Sequence, residues 1–314
     1  MLKKLIIILS IMLFLSGCNE KPAEEEKVFN IYSLKGPTTI GLVKLIKDTN
    51  ENYSFNIVTA VDSIVAALSN GECDIACIPA NVASNLFNKT NDYKVVCINT
   101  LSVLYLVEND NQISSFMDLK GKTIILTGKG TTPEYALRYL LSKYGLENDV
   151  TLDFKSEATE IVTILSTDAA VIALLPQPFA TVALSKNPSL RICLDLNAVW
   201  NEVSEDSSLI TGVTIVRKEI LEKYEKQIQQ FLKDYQSSIA YVNANTAEAG
   251  SWVAELGIVE NQQIAAAAIP YCNITYIDAA EMKNKLQGYL ATLLNFNPDS
   301  IGGSLPTDDF YYLP

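Results

Sequence analysis

The 314-residue sequence has no histidine. That removes the commonest general base and the commonest metal ligand together, so acid–base catalysis and a metal centre both lose their usual carriers. A Gly-x-Ser-x-Gly nucleophile elbow is absent as well, which argues against serine hydrolysis. Basic stretches are also lacking: 24 Lys and Arg stand against 36 Asp and Glu, for a formal charge of −12. Phosphate backbones are held by clustered cations, so no nucleic-acid partner is expected. The loop Gly128-Lys129-Gly130-Thr131-Thr132 has neither the four-residue gap nor the Gly-Lys-Ser/Thr order of a nucleotide-binding P-loop. Cysteine is sparse and odd in number beyond Cys18: Cys73, Cys77, Cys97, Cys193 and Cys272 leave at least one thiol unpaired within a monomer. Read as one strand, Cys73 and Cys77 lie about 13 Å apart, too far for a disulfide. Buried thiols acting as small hydrophobes are expected at these positions.

What is present begins with an address. Lys3 and Lys4 precede an uncharged apolar run from Leu5 to Leu15, followed at once by Ser16, Gly17 and Cys18. This is the order of a secretory leader. As a helix the run is about 16 Å long, half of a bilayer core, so it is too short for a permanent span. Leu15-Ser16-Gly17-Cys18 resembles the bacterial lipobox, which implies a leader over 1–17 and acylation of Cys18. The membrane would then be met through a lipid anchor. Residues 18–27, with Glu24, Glu25 and Glu26, read as a solvated tether. Removal of Lys3 and Lys4 makes the charge −14.

About 290 residues remain, enough for two domains, and 48% apolar content supplies their cores. Strand and helix patterns alternate. Val28–Ser33, Phe55–Thr59, Cys73–Ile78 and Val95–Ile98 read as strands separated by helices, one of them capped by Asp62. Val103–Glu108 is an apolar crossing strand. A second run follows with strands at Thr123–Leu126, Thr151–Phe154, Ala169–Leu174 and Leu190–Leu194. Leu209–Val216 crosses back, and one long helix is expected from Lys218 to about Asn243. Two crossings between two α/β lobes make a hinge.

Several motifs carry a family resemblance: Asp118-Leu119-Lys120-Gly121-Lys122-Thr123, Gly130-Thr131-Thr132, and Leu174-Leu175-Pro176-Gln177-Pro178-Phe179. Pro270, Ile301-Gly302-Gly303 and the tail Asp308-Asp309-Phe310-Tyr311-Tyr312 add to it. Over essentially all of Val28 to Pro314 the chain resembles the type II periplasmic-binding-protein group that includes alkanesulfonate, taurine and thiamine-pyrimidine binding proteins. The resemblance implies an α/β clamshell of two lobes, each an open, mostly parallel sheet flanked by helices. The first lobe would take 28–104 with 213–314, and the second 105–212. It also implies a monomeric solute receptor outside the cell, with ABC permease and ATPase subunits as partners and no cofactor or metal. Gln177 departs from many relatives, which carry Glu there; without that carboxylate, recognition of a cationic group at this point loses its basis. An enzyme on the same fold, resembling pyrimidine-precursor synthases, would need a pyridoxal cofactor and a histidine. A sensor's ligand subunit is the other alternative.

Ligands of open α/β sheets bind beyond the carboxyl ends of strands, at helix N-termini. This selects Pro37, Thr38 and Thr39; Pro79, Ala80 and Asn81; and Gly130, Thr131 and Thr132. Their hydroxyls and amides suit an anion or a carbonyl-like acceptor, while plain N-capping would also account for each threonine. Lys129 either adds charge or stays solvated. Thr100 and Leu101 are placed on the hinge side of the cleft, and Gln177 at the start of a second-lobe helix. Trp200, expected in the loop before the second crossing, either stacks on a flat ligand or packs beneath that loop. A small neutral or anionic organic solute is the expected ligand.

Overall fold

The computed structural model describes residues 26–109, 111–167, 171–204 and 207–314; Cys18, the leader and most of the tether lie outside them. Eleven strands fall in chain order: β1 Phe29–Leu34, β2 Tyr53–Val58, β3 Ile75–Pro79, β4 Tyr93–Leu101, β5 Leu104–Glu108, β6 Thr123–Leu126, β7 Thr151–Phe154, β8 Ile172–Pro176, β9 Arg191–Asp195, β10 Ile210–Arg217 and β11 Ile274–Ile277. The helices that matter for the site are α1 Pro37–Ile40, α2 Val43–Lys47, α3 Val61–Ser69, α4 Ala80–Thr90, α5 Thr132–Lys143, α6 Ala158–Thr167, α7 Phe179–Lys186 and α8 Leu196–Val203. The expected long helix is two, α9 Lys218–Lys223 and α10 Glu225–Ala244, because Tyr224 leaves helical geometry between them. Three more follow, α11 Thr246–Glu255, α12 Gln262–Ala268 and α13 Ala279–Phe296.

The strands form a six-stranded sheet, ordered β11-β4-β10-β3-β1-β2, and a five-stranded one, ordered β7-β6-β8-β5-β9. Strands β1, β2 and β3 pair in parallel, as do β6, β7 and β8. Each crossing strand runs against its neighbours: β10 is antiparallel to β3 and β4, and β5 to β8 and β9. The chain geometry explains this. Only Ser102 and Val103 separate β4 from β5, so β5 starts at the edge where β4 stopped and runs away from it. The expected boundaries at 104/105 and 212/213 fall inside β5 and β10; the chain has already changed sheets by Leu104 and again by Ile210.

Both sheets are covered on two faces, as continuous apolar strands require. β3 and β5 are buried along their whole length. One apolar cluster spans both sheets and includes Trp200, Tyr139, Leu104 and Tyr289; another packs β1 against α10 through Phe29, Phe231 and Tyr235. The five described cysteines are free. Burial pushes the thiols of Cys73 and Cys193 up to about 12 and that of Cys77 to about 11, which leaves them as protonated core groups. Cys73 precedes β3 rather than lying on it.

The C-terminal tail is tied to β4. Tyr311 bridges Val95, and the Tyr312 amide donates to the Val95 carbonyl at 2.9 Å. Asp309 accepts from Lys218 and, at 2.7 Å, from Lys94. Those two ammonium groups pull its carboxyl down to about 2, Lys218 contributing most. Asp309 is half exposed, so the tie is worth no more than about 1 kcal/mol. A depressed carboxylate stabilises in full above its unfolded value of about 4, and the contribution is lost as pH falls from there through its folded value. Asp309→Asn should therefore melt below the native protein at neutral pH, and the gap should close as pH falls from about 4 toward 2. A constant gap across that window would mean that the charge is not what holds the tail.

The cleft between the two sheets

A cavity of about 370 Å³ lies between the sheets. Its walls are the carboxyl ends of six parallel strands and the starts of the two crossing strands. From the first sheet come Leu34 to Thr38 after β1, Thr59 to Asp62 after β2, and Pro79 ending β3. From the second come Thr127 to Lys129 and Thr131 to Pro133 after β6, Lys155 to Thr159 after β7, and Pro176 with Phe179 after β8. Leu104 and Thr211 complete it from β5 and β10. The helices α3, α5, α6 and α7 thus begin at the cavity, each with first-turn N–H groups that have no partner within the helix.

Of the residues expected at the site, Pro37, Thr38, Pro79, Thr131 and Thr132 line the cavity. The others are placed elsewhere for identifiable reasons. Thr39 is buried and gives its hydroxyl to Ser33 and to the Leu34 carbonyl. Thr100 and Leu101 end β4, which β10 separates from β3 and the cavity. Gly130 spends its amide on the Glu134 carboxylate at 2.7 Å, and Glu134 also accepts from Arg138 at 2.7 Å. Ala80 and Asn81 are fully buried behind Pro79. Gln177 is fully buried too, its carboxamide oxygen accepting from the Thr181 amide and hydroxyl at 3.2 and 2.8 Å.

Trp200 requires a correction. It sits on α8, not in a loop, and is fully buried; its ring is 4.6 Å from that of Tyr139 and 5.7 Å from that of Tyr289. Its indole N–H donates to the Ser207 carbonyl at 3.2 Å. The helix follows β9, the far edge of the second sheet, so Trp200 packs beneath the crossing rather than facing the cleft. A second correction concerns Asp62. Ala60 is the N-cap of α3, and Asp62 lies in the first turn at the cavity wall.

Sequence reasoning missed the segments 59–62 and 155–159. The signal was available, because both follow parallel strands and open helices; the rule that selected Thr38 and Thr132 selects them equally.

The loop between β6 and α5 is held closed by its own atoms. The Thr131 hydroxyl and amide both donate to the Gly128 carbonyl, at 2.7 and 3.0 Å. Gly128 has φ +78, and a Cβ there would stand 2.6 Å from the Thr131 oxygen, so glycine alone fits. Gly212 plays a matching part on β10, where a Cβ would come within 2.7 Å of Thr38 and 2.6 Å of Asn99 Oδ1.

Charge is confined to the more open parts of the wall. Lys35, Lys129, Asp62 and Glu157 are exposed, and half-buried Lys155 pairs with Asp153 at 3.0 Å. Three lysines against two carboxylates give a slightly positive lining on a chain of net charge −12. Eight of the lining residues are Ser or Thr. Among the described residues no cluster of His, Cys, Asp or Glu is arranged to hold a metal ion, and no helix is long and apolar enough to cross a membrane.

Two mixed α/β sheets joined by two crossings, with a hydroxyl-lined cleft at their strand ends, define a type II periplasmic binding protein. The family model described as "ABC transporter, phosphonate, periplasmic substrate-binding protein" matches residues 44–264, and the chain belongs to that family. It is accordingly a non-enzymatic solute-binding component of an ABC import system, working outside the cytoplasm. An ABC transporter protein from Parabacteroides distasonis is 27% identical, covering 92% of this chain and 99% of its own, with a TM-score of 0.77. The Escherichia coli aliphatic sulphonate binding protein SsuA shares the fold at 15% identity, with 91% and 92% covered and a TM-score of 0.74. The alkanesulfonate-binding protein SsuA from Xanthomonas axonopodis pv. citri, bound to MOPS, does so at 14% identity, with 93% and 100% covered and a TM-score of 0.71. No curated protein matches the chain.

Proposed function

We propose that the cavity is the solute site and that it takes a small organic molecule, neutral or anionic, from outside the cell. The observation that carries this reading is the wall itself: eight hydroxyl residues and the starts of four helices around about 370 Å³, the size range of a small-molecule pocket. Hydroxyls and first-turn amides donate to carbonyl, phosphonate or sulfonate oxygens alike. Lys35, Lys129 and Lys155 favour a negative group over a positive one. Acylated Cys18 holds the protein on the outer face of the cell membrane through the tether. The lobes, divided near Leu104 and Ile210, close over the solute and present a joint surface to the permease, whose ATPase partner drives uptake.

A thermal-melt panel on the purified protein tests the ligand class, using methylphosphonate, ethanesulfonate, sulfate, uracil, nicotinamide, spermidine and zinc chloride. A ligand at a hundred times its dissociation constant adds about 2.7 kcal/mol. At roughly 2–4 °C per kcal/mol for a chain of this size, the shift is several degrees. A rise with an anionic or neutral probe is expected. Stabilisation by spermidine or zinc alone would sink the ligand class.

A further inference from the structure

The strand-end rule offers Asn81 as a ligand contact, yet its side chain does something else. It stands in the first turn of α4, on the six-stranded side, and is fully buried. Its carboxamide nitrogen donates to two carbonyls: Gly130 at 3.2 Å, in the cavity loop of the other lobe, and Ser300 at 3.1 Å, in the short turn that packs on α4. Its oxygen accepts from the Thr132 hydroxyl at 3.4 Å, again across the lobes. Two carbonyl acceptors on one side and a hydroxyl donor on the other leave the amide a single satisfactory orientation.

We propose that Asn81 is a positioning residue that sets the register between the two lobes and thereby seats the loop 128–132 opposite Thr38 across the cavity. Beside it the Thr132 hydroxyl reaches the Thr211 carbonyl of β10 at 3.5 Å, and the neighbouring ring contacts are apolar. Tyr139 of α5 meets Phe296 of α13 at 5.9 Å, and Trp200 meets Tyr289. Apolar packing is non-directional and permits sliding. A buried carboxamide is directional, and displacement of the second lobe takes the Gly130 carbonyl from its nitrogen and the Thr132 hydroxyl from its oxygen, which costs the desolvation of the groups left unpaired. Asn81, with two bonds to the second lobe, thus supplies most of what the apolar contact lacks: a preferred relative position. Asn85 sharpens the assignment. Its amide also donates to the Ser300 carbonyl, at 2.7 Å, but its other bond stays within α4. It shares the tie to residue 300 and has none to the second lobe.

The inference rests on the two-lobed clamshell reading, and its test is run without solute, so that it can fail while solute binding stands. Spin labels on Glu51→Cys and Glu147→Cys, exposed positions on the two lobes, report the interlobe distance distribution by pulsed electron resonance in a Cys193→Ser background. Asn81→Ala should broaden the distribution, shifting the ratio of displaced to seated molecules by about tenfold for the lost bonds. Thr132→Val should shift it in the same direction by less. Asn85→Ala should lower the melting temperature as a structural change would, and leave the distribution as in the parent. An unchanged distribution in Asn81→Ala overturns the proposal. So does an equal broadening in Asn85→Ala, which would assign the effect to the segment around Ser300. If Asn81→Ala proves unable to fold, Thr132→Val decides: it keeps the amide and its two carbonyl partners and removes only the hydroxyl's bonds across the lobes, to Asn81 and to Thr211, so an unchanged distribution in it overturns the proposal.

Discussion

Trp200→Ala lowers the unfolding free energy by about 3–5 kcal/mol, the range for truncating a fully buried tryptophan. The indole fills the space between Tyr139 on α5 and Tyr289 on α13 and donates to the Ser207 carbonyl. Those two rings belong to elements of different lobes, so closing the void would require the lobes to shift. At roughly 2–4 °C per kcal/mol, the melting temperature should fall by about 6–20 °C. Trp200→Phe, which keeps a ring but loses the N–H donor, should fall between the two. A Trp200→Ala protein that melts with the parent would show that the indole is not core, and would reopen the ligand-stacking reading.

The second large effect concerns binding. Ala60→Trp is expected to reduce affinity for whichever panel probe stabilises the parent by about a hundredfold. Ala60 is exposed, caps α3 in extended geometry and lines the cavity. An indole there takes volume from a space of about 370 Å³. Displacing about 100 Å² of solute contact at about 25 cal/mol per Å² costs near 2.5 kcal/mol, close to two decades in affinity. The fold should be indifferent to within about 0.5 kcal/mol, as for exposed substitutions generally. Titration calorimetry beside a melt without ligand separates the two quantities. Undiminished affinity in Ala60→Trp would place the site outside this cleft.

Asn81 and Gln177 illustrate how a correct rule can mislead about individual side chains. Both stand just after a strand at the cleft edge, where the strand-end rule looks for ligand contacts. Both are fully buried and bond to protein: the Asn81 nitrogen donates to the Gly130 and Ser300 carbonyls, and the Gln177 oxygen accepts from Thr181. Thr131 is intermediate: it lines the cavity, but its hydroxyl proton is committed to the Gly128 carbonyl. No pattern in one dimension distinguishes a polar side chain that faces a cavity from one that braces its wall.

Alternation of apolar strands and amphipathic helices was enough to determine the α/β class, the two runs and the two crossings, because each depends on local hydrophobic period and turn chemistry. The absence of histidine and of basic clusters likewise bears on chemistry without reference to shape. Tertiary structure decided the rest. The order β4-β10-β3 put β10 between Thr100 and the cavity, and the order β5-β9 sent Trp200 to the far edge. It also brought residues 59–62 and 155–159 to face each other across the cleft. Strand order and lobe register arise from contacts between residues far apart in the chain, such as Gly212 with Pro79 and Asn81 with Gly130, and the energy of those contacts leaves no local periodicity to read.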